Sequence, residues 1–136
     1  MAGTVQNIAY PTVSQICEIN HLMIEKYGGL FLPPNNISNS SSLEHVLTII
    51  RVDLYGQMLY PTLEDKACAI AYHIIKGHVF FDGNKRTAMH TAWEFLRSNG
   101  VKVYLDSSII NLSLDIATGQ KSQDDLLMWL LDHRED

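Results

Sequence analysis

Cysteine is scarce: the 136 residues carry two, Cys17 and Cys68. They form no C-x-x-C pair and no spaced framework, which argues against a disulfide-stapled fold. Both fall inside apolar, helix-like patterns and neither has an obvious activating neighbour, so they are expected to be small buried thiols in a reducing compartment, not nucleophiles. Long apolar runs are also missing, since no segment reaches the roughly 20 residues that a membrane span requires. The opening "MAGTVQNIAY" has no cationic stretch followed by an apolar one, and a soluble cytoplasmic protein is expected. Positive charge is in deficit: 10 Lys and Arg face 15 Asp and Glu, for a formal net charge of −5. That argues against a general nucleic-acid coat and requires any phosphate chemistry to be focal. His21, His45, His73, His90 and His133 show no metal-site spacing; His73, one turn before the segment discussed below, is the one to watch.

What is present is helical periodicity, enough for one all-α domain over residues 1–136 with its core over about 12–133. Apolar residues recur from Thr12 to Tyr27 (Val13, Ile16, Cys17, Met23, Ile24, Tyr27), and Gly28-Gly29 stops the run. The Asn- and Ser-rich "FLPPNNISNSSS" reads as a surface loop without core. A second helix is predicted from a Ser41/Glu44 capping box to about Tyr55, carrying Leu43, Val46, Leu47, Ile50 and Leu54. Thr62 caps a third that closes at Lys76-Gly77, and a fourth runs from an Asp82 N-cap to Asn99-Gly100 with Ala88, Ala92, Phe95 and Leu96 inward. "VKVYL" could be a short extended piece. Two more helices, Ser108 to Thr118 and Ser122 to His133, complete a bundle of about six. Trp93, Trp129, Leu126, Leu127, Leu130 and Leu131 are assigned to the core.

The segment "GHVFFDGNKRTAMHTAWEFLRSNG" conflicts with that helical logic. Lys85 and Arg86 stand in a first helical turn, where the backbone already carries positive partial charge, and each misplaced cation costs about 0.3 to 1 kcal/mol. A bound phosphate removes the conflict. Free backbone N–H groups at a helix start form an anion site, and Asn84, Lys85 and Arg86 would add donors around it. Gly83 permits close approach of a ligand to the backbone. Asp82 would repel a phosphate unless a divalent cation bridges the two, so Mg²⁺ is expected on Asp82. His78, in the same loop, is the candidate general base. Phe80 and Phe81 are expected to be hydrophobic anchors of the loop.

His78 to Arg86, "HVFFDGNKR", resembles the nine-residue signature H-x-F-x-(D/E)-(A/G)-N-(K/G)-R of the Fic/Doc family. Lysine at position 85, where adenylyl-transferring relatives usually carry glycine, resembles the Doc, or death-on-curing, branch of toxins. "EKYGGL", "FLRSNGVKVY" and "ATG" extend the similarity over most of the chain. The resemblance implies a compact helical fold and a toxin of a toxin–antitoxin pair. Its implied activity is transfer of the γ-phosphate of ATP, with Mg²⁺, to a hydroxyl of a protein target of the elongation factor Tu kind, arresting translation. It implies His78 as base, Asp82 as the Mg²⁺-side carboxylate, Gly83, Asn84, Lys85 and Arg86 as the nucleotide and phosphate clamp, and Phe80 as buried anchor. Lys85 and Arg86 count with His78 and Asp82 as the catalytic group. Met89 stands where adenylylating members usually have a second arginine, and no inhibitory (S/T)-x-x-x-E-(G/N) segment is found, because Ser40 to Glu44 is followed by His45. Control is therefore expected from a separate, Phd-like antitoxin, through which any contact with nucleic acid would be indirect. Adenylyl transfer, and a non-catalytic antitoxin-binding role, are the alternatives.

Overall fold

In a computed structural model describing residues 7–135, six helices are found among those residues. They are α1 (Val13–Tyr27), α2 (Ser40–Ile49), α3 (Leu63–Lys76), α4 (Asn84–Ser98), α5 (Ser108–Ala117) and α6 (Gln123–Asp132). A two-residue-per-strand antiparallel hairpin, β1 (Asp53–Leu54) and β2 (Gln57–Met58), lies between α2 and α3. The expected all-α bundle is thus the architecture. Residues 1–6, part of the stretch read for a leader, lie outside the described residues. Among the described residues no helix is long and apolar enough to cross a membrane.

Local capping sets three helix starts. Thr12, Thr62 and Ser122 each accept a hydrogen bond from the backbone N–H three residues on, and Gln15, Asp65 and Asp125 reciprocate to the capping residue's N–H. Each cap is worth about 1 kcal/mol. The second helix departs from expectation. Its N-cap is Asn39, whose Oδ1 accepts from the Ser42 N–H at 3.2 Å, and not a Ser41/Glu44 box. It also ends at Ile49 rather than near Tyr55, because Tyr55 and Gly56 adopt φ of 54° and 81°. Two successive left-handed residues make the tight turn of a hairpin, which leaves Leu54 exposed. "VKVYL" forms no strand; a single bridge pairs Val103 with Arg134.

Helix α3 is the axis of the bundle, packing against α2, α4, α5 and α6, while α1 covers α4. Its run Ala67, Cys68, Ala69, Ile70, Ala71 is buried on every side, since small residues let neighbouring helices approach from several directions. Cys68 is buried as expected, and burial pushes its thiol well above the usual range. Cys17 is half-buried. Ala88, Ala92, Phe95 and Leu96 face inward as read from the sequence, as do Leu126 and Leu130, whereas Leu131 is exposed. Trp93 and Trp129 sit at the core's edge, each placing its indole N–H on a polar partner, Val103 O at 3.0 Å and Ser108 Oγ at 2.8 Å. That is how an indole satisfies both of its ends.

One buried charge organises the junction of α2, the hairpin and α3. Lys66 is fully enclosed, and its ammonium donates to the Ile50 carbonyl at 2.8 Å and to the Tyr60 carbonyl. Burial lowers its pKa, yet both carbonyls depend on its protons. Replacing Lys66 by methionine keeps most of the volume and strands the two acceptors. The Lys66→Met protein should lose about 1 to 3 kcal/mol in urea denaturation; unchanged stability would mean the carbonyls find other donors.

Candidate active site

The segment joining α3 to α4 is built under local strain. After α3 the chain turns sharply at His78, whose φ of 47° lies in the left-handed region, a conformation that costs a non-glycine residue about 1 to 3 kcal/mol. Val79 and Phe80 then plunge into the core, at 0% and 1% exposure, and the expected anchoring role of Phe80 has a direct structural counterpart. Phe81 does not share it: it is exposed at the rim of a groove. Phe80 pairs with Ile37 in a single bridge and the chain bends at Phe81, so one Phe is core and the next is not.

Asp82 is not the N-cap of α4. That position belongs to Gly83, at φ 77°, and no side chain caps the helix. A left-handed residue is needed there to swing the chain into the helix, and the space is tight: a Cβ on Gly83 would lie 3.0 Å from Ile24 Cδ1 and 3.1 Å from Asn20 Nδ2. The Asp82 carboxylate instead accepts the Gly83 N–H at 2.8 Å on Oδ1 and the Leu30 N–H at 2.8 Å on Oδ2. Leu30 N–H, then Gly83 N–H, and more weakly the Lys85 and Arg86 charges, hold its carboxyl below the usual carboxylate range. Asp82 is therefore ionised at neutral pH, exposed, and retains a free lone pair on each oxygen. These are properties that suit a carboxylate sharing a Mg²⁺ with phosphate and water. Among the described residues no cluster of three or more His, Cys, Asp or Glu could hold a metal ion alone.

Asn84 differs from the reading of the sequence. Its carboxamide is committed to the loop, accepting the Phe80 N–H at 2.9 Å and donating to the Phe80 carbonyl at 2.8 Å. It closes the turn as a backbone segment would, while its main-chain N–H and the second Nδ2 hydrogen take no part in that bracing. Lys85 and Arg86 project from the exposed side of the same turn. His78, Phe81, Asp82, Gly83, Asn84, Lys85 and Arg86 line one groove of about 620 Å³, closed opposite by Ile109, Ile110, Ser113 and Leu114 of α5. The groove thus joins a cationic, amide-rich end to an apolar wall. Such a surface can hold a polyanion with an attached apolar or aromatic group.

A second layer, invisible in the sequence reading, holds this loop. Asn20, fully buried on α1, donates to the Asp82 carbonyl at 2.9 Å and to Thr87 Oγ1 at 3.1 Å. Asn36, also fully buried, donates to Asn20 Oδ1 and to the Leu30 carbonyl, both at 3.0 Å, and accepts from the Leu32 N–H at 2.8 Å. Its own carbonyl takes the Phe81 N–H at 2.9 Å, and Ser38 and Asn39 N–H both bond Val79 O. The Asn- and Ser-rich segment is therefore a strut under the loop, not a coreless surface excursion. Asn20 had a legible signal, a polar residue between Ile16 and Ile24 on the apolar face; Asn36 had none.

The family model described as Fic/DOC family matches residues 10–96. Over 56 residues, 41% of this chain, the sequence is 45% identical to the protein named Toxin Doc of Mycolicibacterium smegmatis, of which the match covers 43%. Over 111 residues, 79% of this chain, it is 29% identical to the Protein kinase doc of Escherichia phage P1, with 82% of that protein covered. The better-matching stretch is thus less than half of the first relative, and the longer alignment spans most of the second.

Two measurements check the site's construction. Asn36→Ala leaves Asn20 Oδ1 and the Leu30 carbonyl without their donor, and should cost about 1 to 3 kcal/mol in denaturant titration. For Asp82, the depressed pKa means its stabilising contribution is complete above the ordinary aspartate value of about 4 and is lost as pH falls through the lower folded value. The stability difference between wild type and Asp82→Asn should hence be constant from neutrality down to that range and shrink below it. A pH-independent difference would contradict the two-amide anchoring.

Proposed function

This chain belongs to the Fic/DOC family, and from that premise we propose that it is a Doc-type toxin: a transferase that passes the γ-phosphate of ATP to a hydroxyl of a protein target. The observation that carries the reading is the juxtaposition, in one groove, of His78 with an uncapped helix start bearing Lys85 and Arg86. The names of its relatives, one a toxin and one a protein kinase, support the same reading.

In this mechanism the N–H groups that open α4, with Lys85 and Arg86, hold the phosphates and neutralise charge that develops on the equatorial oxygens. Asp82 would hold Mg²⁺, which when bound screens the phosphate oxygens from that carboxylate and from each other. His78 accepts the proton of the target hydroxyl as its oxygen forms a bond to the γ-phosphorus. The bond from that phosphorus to the β,γ-bridging oxygen breaks, and ADP leaves. Phe80 and Asn84 keep the loop in place. The apolar wall from α5 receives the base end of the nucleotide. Met89 is 7% exposed, packed in the core, so it offers no second cation for the orientation that adenylyl transfer uses. The target is proposed to be of the elongation factor Tu kind, with arrest of translation as the outcome and a Phd-like antitoxin as the controlling partner.

Purified protein incubated with Mg²⁺-ATP and elongation factor Tu should add the mass of one phosphate to the target. His78→Ala should slow that gain about 100-fold or more while its thermal unfolding stays that of the wild type. A gain of one AMP would replace the phosphotransfer reading with adenylyl transfer. An unimpaired His78→Ala protein would remove the proposed base.

A further inference from the structure

The end of α1 holds the site's anion and one of its cations at the same time, and this placement bears on how the groove stays open. Asp82 precedes Lys85 and Arg86 by three and four residues, within one turn, where opposite charges attract each other across the helix start. Yet the ion pairs found among the described residues are His21 with Glu25, Arg97 with Glu94, His133 with Asp106 and Arg134 with Glu64. None takes in Asp82, Lys85 or Arg86. Each of two site charges has another attachment. The Arg86 guanidinium lies 4.6 Å from the centroid of the Tyr27 ring, and the Asp82 carboxylate is bound by the Leu30 N–H at 2.8 Å.

Both attachments come from one four-residue stretch, Tyr27-Gly28-Gly29-Leu30, which begins with the last residue of α1 and includes the closing helical bond, Gly28 N–H to Ile24 O at 2.8 Å. The turn fits Asp82 closely. A Cβ on Gly29 would stand 2.8 Å from Asp82 Oδ2 and 2.9 Å from Ile24 Cδ1, and the backbone there has φ 131°, so a larger residue is strained and shifts the carboxylate or the Ile24 side chain. Leu30 is in turn tied to the buried network, since its carbonyl accepts from Asn36 Nδ2. Tyr27 is half-exposed and lines the groove, so its ring is spent on Arg86 rather than on the core.

We infer that Tyr27 and the Gly29-Leu30 peptide are positioning residues that keep Arg86 and Asp82 from neutralising each other, so that both face an incoming Mg²⁺-nucleotide already separated. An aromatic face attracts a guanidinium without competing for its N–H donors in the ring plane, which stay directed at phosphate. A carboxylate held by two main-chain N–H groups keeps its charge and its outer lone pairs. The preorganisation lowers the cost of assembling the clamp when the ligand arrives. The inference rests on the nucleotide-binding part of the function proposed above, and its structural half can be read without any ligand.

The test uses the full chain with Tyr27→Phe, Tyr27→Leu and Gly29→Ala. Guanidinium NMR of ¹⁵N-arginine protein, without ligand, should show the Arg86 Nε–H shifted by the aromatic ring in wild type and Tyr27→Phe, with that shift lost in Tyr27→Leu. Calorimetric titration with Mg²⁺-ATP should then give wild-type affinity for Tyr27→Phe and a loss of about tenfold for Tyr27→Leu. Gly29→Ala should also lose affinity while keeping the Arg86 ring shift, because it disturbs only the Asp82 side. Wild-type affinity in Tyr27→Leu, or an Arg86 resonance that the substitution does not move, overturns the inference. A wild-type protein that binds no Mg²⁺-ATP would instead sink the proposed function, and the Arg86 resonance would still decide whether Tyr27 holds the guanidinium.

Discussion

The pairing of Asn20 with Asn36 inside the protein is the contact from which the rest of the site is hung. Two carboxamides with no solvent access reach α1, the segment before α2, the turn after α1 and the start of α4. Buried amides are costly unless their donors and acceptors are matched, and matched they define one geometry. These pieces of chain must therefore arrive together before any one of them is comfortable. That requirement converts a strained loop of exposed charges into a fixed surface.

The loop itself runs against local preference at nearly every step. His78 is left-handed, α4 starts without a side-chain cap, and cations occupy its positive end. Each choice costs stability, and all of them fall within the nine residues from His78 to Arg86. The compensation lies elsewhere: three reciprocal capping boxes, the buried 66–71 run of α3 and the enclosed Lys66 ammonium all belong to the scaffold. Strain at the site and regularity around it are two sides of one arrangement.

Electrostatics in the groove depend on main-chain groups as much as on side chains. Asp82 owes its low pKa first to the Leu30 and Gly83 amides and only then to Lys85 and Arg86. The Asn84 carboxamide, which the motif suggests as a phosphate donor, braces both backbone groups of Phe80. A motif names residues, but what each side chain bonds is set by the fold, by Phe80 close by for Asn84 and by the distant Leu30 as well as Gly83 for Asp82.

The sequence by itself determined the helical class, the starts of α1, α3 and α6, the inward face of α4, and the anomaly of Lys85 and Arg86. These are local properties: periodicity, a capping side chain three residues from its partner, and charge relative to a helix end all act within one or two turns. Tertiary structure decided the rest. The hairpin at Tyr55-Gly56 ended α2 early, Phe81 was turned outward, Asp82 yielded the cap to Gly83, and the Asn- and Ser-rich segment became a supporting strut. The hairpin is a local turn, but the placement of Asp82 hinges on hydrogen bonds to Leu30 and Asn20, and that of Phe81 and the strut on bonds such as Phe81 N–H to Asn36 O. No window of sequence contains both ends of such a bond, so only the folded chain could assign it.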